Sequence, residues 1–180
     1  MDQFAFTHIA PHISKGRTDM MLVITFFGNH LFLIPANLLF LTYLLNKKEK
    51  AWAVLLLINS LGGLLLELLI KEVIHRYRPE DSLIPGGVPG WSFPSGHAMM
   101  SSLFYGILIY YGYNRFRENW QKRVWALLLV FFILIISFSR IYLRVHYLSD
   151  ILAGLSAGFA WLVISVWLLN YLKPALKTES

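Results

Sequence analysis

The sequence predicts an all-α integral membrane protein, a helical bundle with five or six transmembrane helices. Three observations carry that reading. Hydrophobic residues make up 57% of the 180 positions and charged residues only 14%, where a soluble domain carries about 25% charged. Mean hydropathy is +0.56. The apolar residues also fall into five runs, each near the roughly 20 residues a helix needs to cross a bilayer. A chain of this length reads as a single domain, 1–180.

Residues 1–18 contain Asp2, His8, Pro11, His12, Lys15 and Arg17. They lack the apolar core of a secretory signal and read as an interfacial segment touching the membrane through Phe4, Phe6 and Ile9. The first span is 20–45, with a kink expected at Pro35, which removes a backbone donor. A tight basic turn, 46–50, leads to the second span, 51–74. The segment 80–93 carries Pro85, Gly86, Gly87, Pro89 and Gly90 and reads as a loop. The third span, 97–113, is the shortest. A polar, basic connection at 114–123 precedes the fourth span, 124–142. A short connection, 143–149, leads to the fifth, 151–172. Gly154 and Gly158 form a GxxxG pair in this last span, suited to close helix packing. Residues 173–180 read as a polar cytoplasmic tail.

Composition also excludes function classes. There is no cysteine, so disulfides and thiolate metal sites are ruled out. The net charge of +6 is modest and dispersed between apolar runs. That argues against a nucleic-acid partner and for anionic lipid or a phosphorylated substrate. His8, His12 and His30 are scattered and lack nearby carboxylates, so no metal site is expected.

Five spans place alternate connections on opposite sides of the membrane. One side collects Lys47, Lys48 and Lys50, the 114–123 connection and the tail, which together hold nine of the 16 Lys and Arg residues. The positive-inside rule makes that side cytoplasmic. The opposite, extracytoplasmic side then holds Lys71, Arg76, Arg78, Arg140 and Arg144, and four helix ends meet there. Ionisable residues at membrane depth mark a functional site by default.

Each of these residues suits phosphate chemistry. Lys71, Arg78 and Arg140 are cations with few neighbouring acids, fitted to a phosphate dianion. Ser95, Gly96 and His97 open a helix, where free amides and the dipole favour an anion. Gly96 allows close approach of the backbone. His146 and Asp150 are four apart and share a face if the fifth helix starts near Val145. Asp150 would fix the tautomer of His146 and leave one ring nitrogen free to attack phosphorus. His97 would protonate the leaving oxygen. Cations and helix amides stabilise the transferring charge, so the chemistry requires no metal and no cofactor.

Three stretches carry a resemblance. KEVIHRYRP (71–79), PSGH (94–97) and SRIYLRVHYLSD (139–150) resemble the three signature motifs of the type 2 phosphatidic acid phosphatase family, K-x6-RP, PSGH and SR-x5-H-x3-D, in order and with every spacing matched. The resemblance covers at least 51–158. It implies that His146 forms a phosphohistidine, with Asp150 as its partner and His97 as general acid. Lys71, Arg78, Ser95, Gly96 and Arg140 resemble the phosphate-binding set. Members dephosphorylate lipid phosphates at the outer face of the membrane without a metal. Bacterial relatives act on phosphatidylglycerophosphate, undecaprenyl pyrophosphate or lipid A. A bacterial plasma membrane is the expected location.

The chain departs from the family pattern in two places. Membrane members usually have six spans, and five are counted here. Many bacterial relatives have a small residue, often glycine, where Arg144 stands. That cation is read as a contact for a second phosphate or an anionic headgroup. Glu67, four before Lys71, is read as its i,i+4 partner. His75 and Arg76 fit either headgroup contacts or solvated loop residues. Trp91 and Phe93 are candidates to line a lipid entrance. Two other classes remain open, a lipid phosphotransferase using the same site and a non-enzymatic lipid-binding or transport protein.

Overall fold

The computed structural model describes residues 1–177, and every regular element among them is helical. In order they are α1 (Asp2–Ile9) with a 3₁₀ turn (Ala10–His12), α2 (Lys15–Phe26), α3 (His30–Asn46), α4 (Lys50–Val73), α5 (Gly96–Arg115), α6 (Asn119–Tyr142) and α7 (Leu148–Lys177). Among the described residues, four segments are long and apolar enough to cross a membrane: Lys15–Asn46, Lys50–Val73, Asn119–Tyr142 and Leu148–Tyr171. Their outer faces expose Leu65 and Leu68 on α4, Leu127 and Phe131 on α6, and Phe159 and Val163 on α7. Exposed apolar faces of this kind belong against lipid.

The third predicted span corresponds to α5, which is less apolar than the other four. It packs against α4, α6 and α7 and buries ten residues, among them Ser101, Ser102, Gly106 and Gly112. A central helix meets protein rather than lipid, so small and polar residues replace the expected leucines.

The first span differs from expectation. It is two helices, broken at residues 27–29, and α3 runs unbroken through Pro35. Tertiary partners make a break at this depth tolerable. Tyr105 Oη donates to the Phe27 carbonyl at 2.9 Å, and Asn29 Oδ1 accepts from the Leu31 amide at 2.9 Å to cap α3. A Cβ on Gly28 would stand 2.6 Å from Ile136 Cγ2 and 3.1 Å from His97 Cδ2, so only glycine lets this turn press against α5 and α6.

The N-terminal segment packs on the protein. Phe4 is exposed, but Phe6 and Ile9 face inward, with Ala5, onto a cluster of Ala98, Ile141 and Ile151. α1 therefore docks on the protein at the α6–α7 corner. At the other terminus, helix α7 continues through Lys177 where a tail was expected; residues 178–180 lie outside the described residues.

Buried polar pairs tie the helices together. Asn59 Nδ2 donates to the Leu103 carbonyl at 3.1 Å, joining α4 to α5, and Ser60 Oγ donates to Asn37 Oδ1 at 2.7 Å, joining α4 to α3.

Candidate active site

The end of α4, the segment 74–95, the start of α5, the end of α6 and the start of α7 converge at one end of the bundle. Backbone hydrogen bonds fasten the long segment there: Ser92 N to Arg76 O at 2.8 Å, Leu83 N to Leu143 O at 3.0 Å and Ser95 N to Asp150 O at 3.1 Å. Lys71 Nζ, in the last turn of α4, donates to the carbonyls of Pro94 at 2.8 Å and Trp91 at 3.3 Å, and lies 3.5 Å from Glu67. The expected Glu67–Lys71 pair is present.

The GxxxG glycines set the α5–α7 separation. A Cβ on Gly154 would stand 2.6 Å from the Ser95 carbonyl oxygen, and one on Gly158 would stand 2.8 Å from that of Met99. The two backbones ride directly on each other, which places Ser95–His97 beside the first turn of α7.

His146 lies in the connection before α7, which begins at Leu148 rather than near Val145. The side chain is 2% exposed. Arg78 Nη1 lies 3.0 Å from His146 Nε2 and 2.8 Å from the Val145 carbonyl. A guanidinium has only donors, so Nε2 must be the ring's acceptor and Nδ1 carries the hydrogen. That hydrogen faces Asp150 Oδ2, with Nδ1 3.5 Å away, and Ser92 Oγ at 3.4 Å. Ser92 Oγ in turn donates to Asp150 Oδ2 at 2.5 Å, and the Tyr147 amide donates to the same oxygen at 2.9 Å. Burial pushes the imidazole down to about 4; the Arg78 and Arg140 charges add to that shift, and the Asp150 hydrogen bond opposes it. Burial thus favours a neutral ring of fixed tautomer, with its lone pair on Nε2 accepting from Arg78.

Ser95 caps the start of α5, and its buried hydroxyl has no protein partner among the described residues; the same is true of His97 Nε2 and Arg140 Nε. A Cβ on Gly96 would collide with the Glu67 carboxylate. Arg140 is 3% exposed, donates from Nη1 to Thr25 Oγ1 at 2.7 Å, and has no carboxylate partner among the described residues. An unpaired buried guanidinium is costly unless an anion joins it. His97 lies within electrostatic reach of Arg140, His146 and Arg78.

The eight residues singled out from sequence thus gather at one locus. Arg144 does not join them. It holds a left-handed backbone, φ +53°, and lies 3.3 Å from the exposed Asp81. Trp91 packs in a tilted contact with His75 and edge-on with Tyr77 and, like Phe93, lies off the groove described next. Sequence reasoning missed Ser92, Thr25 and Gly28. Ser92 sits two before the PSGH motif, but nothing in the residue type sets it apart from a loop serine.

An apolar cavity of about 500 Å³ opens between α3 and α4 over α5. Leu33, Ile34, Leu38, Leu61 and Leu64 line it, and its polar end is Glu67, Gly96 and His97.

The PAP2 superfamily model matches residues 50–174. The chain belongs to the PAP2 superfamily. A phosphatidylglycerophosphatase B from Bacillus subtilis is 32% identical over 143 residues, covering 78% of this chain and 69% of that one. The fold of this PAP2 protein is similar to the crystal structure of a transmembrane PAP2-type phosphatidylglycerolphosphate phosphatase from Bacillus subtilis. That match has a TM-score of 0.85 at 23% identity and covers 94% of this chain and 85% of that one. LpxE from Aquifex aeolicus matches with a TM-score of 0.70 at 21% identity, covering 92% of this chain and 94% of that one.

Proposed function

We propose that this PAP2 enzyme hydrolyses a lipid phosphate through a phosphohistidine on His146, at the extracytoplasmic face of a bacterial plasma membrane. The observation that carries the reading is the Arg78–His146–Asp150 arrangement. It fixes a neutral imidazole with its only lone pair turned toward cations that lack a carboxylate partner.

The substrate phosphate would lie among Lys71, Arg78, Arg140, Ser95 Oγ and the first amides of α5. Arg78 would turn its donors onto phosphate oxygens and so release Nε2. That nitrogen attacks phosphorus, and the P–N bond forms as the P–O bond to the lipid breaks. His97 gives its proton to the leaving oxygen. Water then attacks the phosphohistidine, His97 takes the water's proton, and inorganic phosphate leaves. Asp150 balances positive charge on the ring during both steps. The cations and helix amides supply transition-state stabilisation without metal. The lipid chain would occupy the groove between α3 and α4, reached sideways from the bilayer, with α5 counted as a fifth span. Phosphatidylglycerophosphate is one substrate suggested by the Bacillus relative.

The test is phosphate release in detergent with EDTA present, offering phosphatidic acid, phosphatidylglycerophosphate, undecaprenyl pyrophosphate and a lipid A 1-phosphate. Wild type should release phosphate, and His146→Ala should not. Equal release by folded His146→Ala would refute the nucleophile.

A further inference from the structure

Arg76 and Asp2 have no part in the steps above, yet their contacts end on Asp150. Asp2, at the start of α1, accepts three hydrogen bonds: from the Ser149 amide at 2.9 Å and the Ser149 hydroxyl at 2.8 Å, both at the N-terminus of α7, and from Arg76 Nη2 at 2.8 Å. The other arm of the Arg76 fork, Nη1, donates to Asp150 Oδ1 at 2.7 Å and to Ser149 Oγ at 2.7 Å. The guanidinium lies over the Tyr147 ring, 4.1 Å from its centroid. One arginine therefore bridges two carboxylates 148 positions apart in the chain.

We propose that Asp2, acting through Arg76, is a positioning residue for the Asp150–His146 pair, which makes helix α1 part of the reaction apparatus. The assignment rests on the nucleophile reading of His146. Its logic is electrostatic and geometric. Asp150 turns Oδ2 toward His146 and Ser92, and Arg76 holds Oδ1, so the carboxylate cannot rotate away. An arginine paired with Asp150 alone would cancel the charge that the ring needs while it is phosphorylated. Sharing Arg76 with Asp2 leaves the three-group cluster one negative charge, still directed at the imidazole. A lysine in place of Arg76 has no planar fork and cannot hold both carboxylates in this geometry. The packing of α1 agrees with the assignment, since Ala5, Phe6 and Ile9 seat the helix on Leu148, Ile141 and Ile151.

The decisive experiment measures steady-state kinetics on short-chain phosphatidic acid in detergent micelles, with thermal unfolding recorded for each full-length variant. Asp2→Asn should lower kcat about tenfold and leave KM within twofold. In an Arg76→Gln background the same change should alter kcat less than twofold, because the path to Asp150 is already cut. Gln3→Ala, an exposed neighbour on α1, should behave as wild type. Unchanged kcat in folded Asp2→Asn overturns the proposal, and so do losses that simply multiply in the double variant. If Asp2→Asn does not fold, Arg76→Lys decides: a wild-type kcat overturns the proposal and a roughly tenfold loss at constant KM supports it. Activity in His146→Ala would instead bring down the nucleophile reading beneath it.

Discussion

Gly154→Ala tests whether the α5–α7 approach sets the reacting geometry. The added Cβ would stand 2.6 Å from the Ser95 carbonyl oxygen, with Ala98 Cβ at 3.2 Å and the Met99 amide at 3.3 Å. The nearest obstacle is backbone, so no side chain can swing away. Ordinary contact requires about 0.8 Å more room, and the two helices must separate or slide by most of it. Ser95, Gly96 and His97 travel with α5, while Asp150 travels with α7. A misplacement near 1 Å costs about a hundredfold in rate, so a ten- to hundredfold fall in kcat is expected. Overpacking should cost about 1–3 kcal/mol of stability. The assay is phosphate release with thermal unfolding in the same detergent. Two controls separate geometry from stability. An added Cβ on Gly16 meets nothing within 4 Å, and Gly16→Ala should be silent. One on Gly62 has the Trp161 side chain as its nearest obstacle, so Gly62→Ala should lose stability without a comparable loss of kcat. Folded Gly154→Ala with kcat within twofold of wild type would refute the reasoning.

Other consequences follow from single contacts. The His146 imidazole is pushed down from 6.5 to about 4 in the folded chain. Between those values the unfolded ring takes up a proton that the folded ring refuses, so stability falls as pH drops through that window, by about 3 kcal/mol at most. His146→Asn should flatten that part of a thermal-midpoint profile against pH. Thr25→Val removes the hydroxyl that holds Arg140 and should lower kcat/KM about tenfold, with a loss of about 1–2 kcal/mol in stability; both are read from kinetics and unfolding of the same sample. Arg144→Gly suits the left-handed backbone and gives up the exposed Asp81 contact and a distant cation–π contact with Phe6, so stability should stay within about 1 kcal/mol. If Arg144 reads a second phosphate, the variant should lose preference among lipids; an unchanged ranking removes that role.

The gathering of the expected phosphate-handling residues at one end of the bundle was legible in the sequence, because their spacing survives translation into helix ends. Lys71, Arg78, His97, Arg140 and His146 are such residues, and alternating spans already put them on one side. The break at Gly28 was not legible. Its flanks are as apolar as any span, and the groups that satisfy it, Tyr105 and Asn29, act through tertiary contact. Helix α3 continues through Pro35 without interruption. Asp2 and Thr25 were hidden for a related reason: their partners are 74 and 115 residues away. Periodicity reports which face of a helix is apolar, not which distant helix its polar residue meets. Helix α5 illustrates the converse, since lower hydropathy there marks the centre of the bundle.

Charge balance also bears on the class of substrate. Lys71, Arg76, Arg78 and Arg140 supply four positive charges at the site, and Glu67, Asp2 and Asp150 supply three negative ones. Two of the cations, Lys71 and Arg76, are already paired with these acids, while Arg78 and Arg140 have no carboxylate within ion-pair distance among the described residues. In the proposed reaction His97 acts as the general acid and is protonated when it does so, which raises the total to two positive charges. A phosphate monoester dianion brings the assembly to neutrality, the favourable state for a buried cluster. A lipid pyrophosphate carries about one more negative charge at neutral pH, and Arg144, a further cation on this side of the bundle, is engaged with Asp81. Monoester lipids should therefore give a higher kcat/KM than undecaprenyl pyrophosphate when both are presented in the same micelles. A reversed order would mean that Arg144 leaves Asp81 to meet the second phosphate, and Arg144→Gly would then depress the pyrophosphate rate alone.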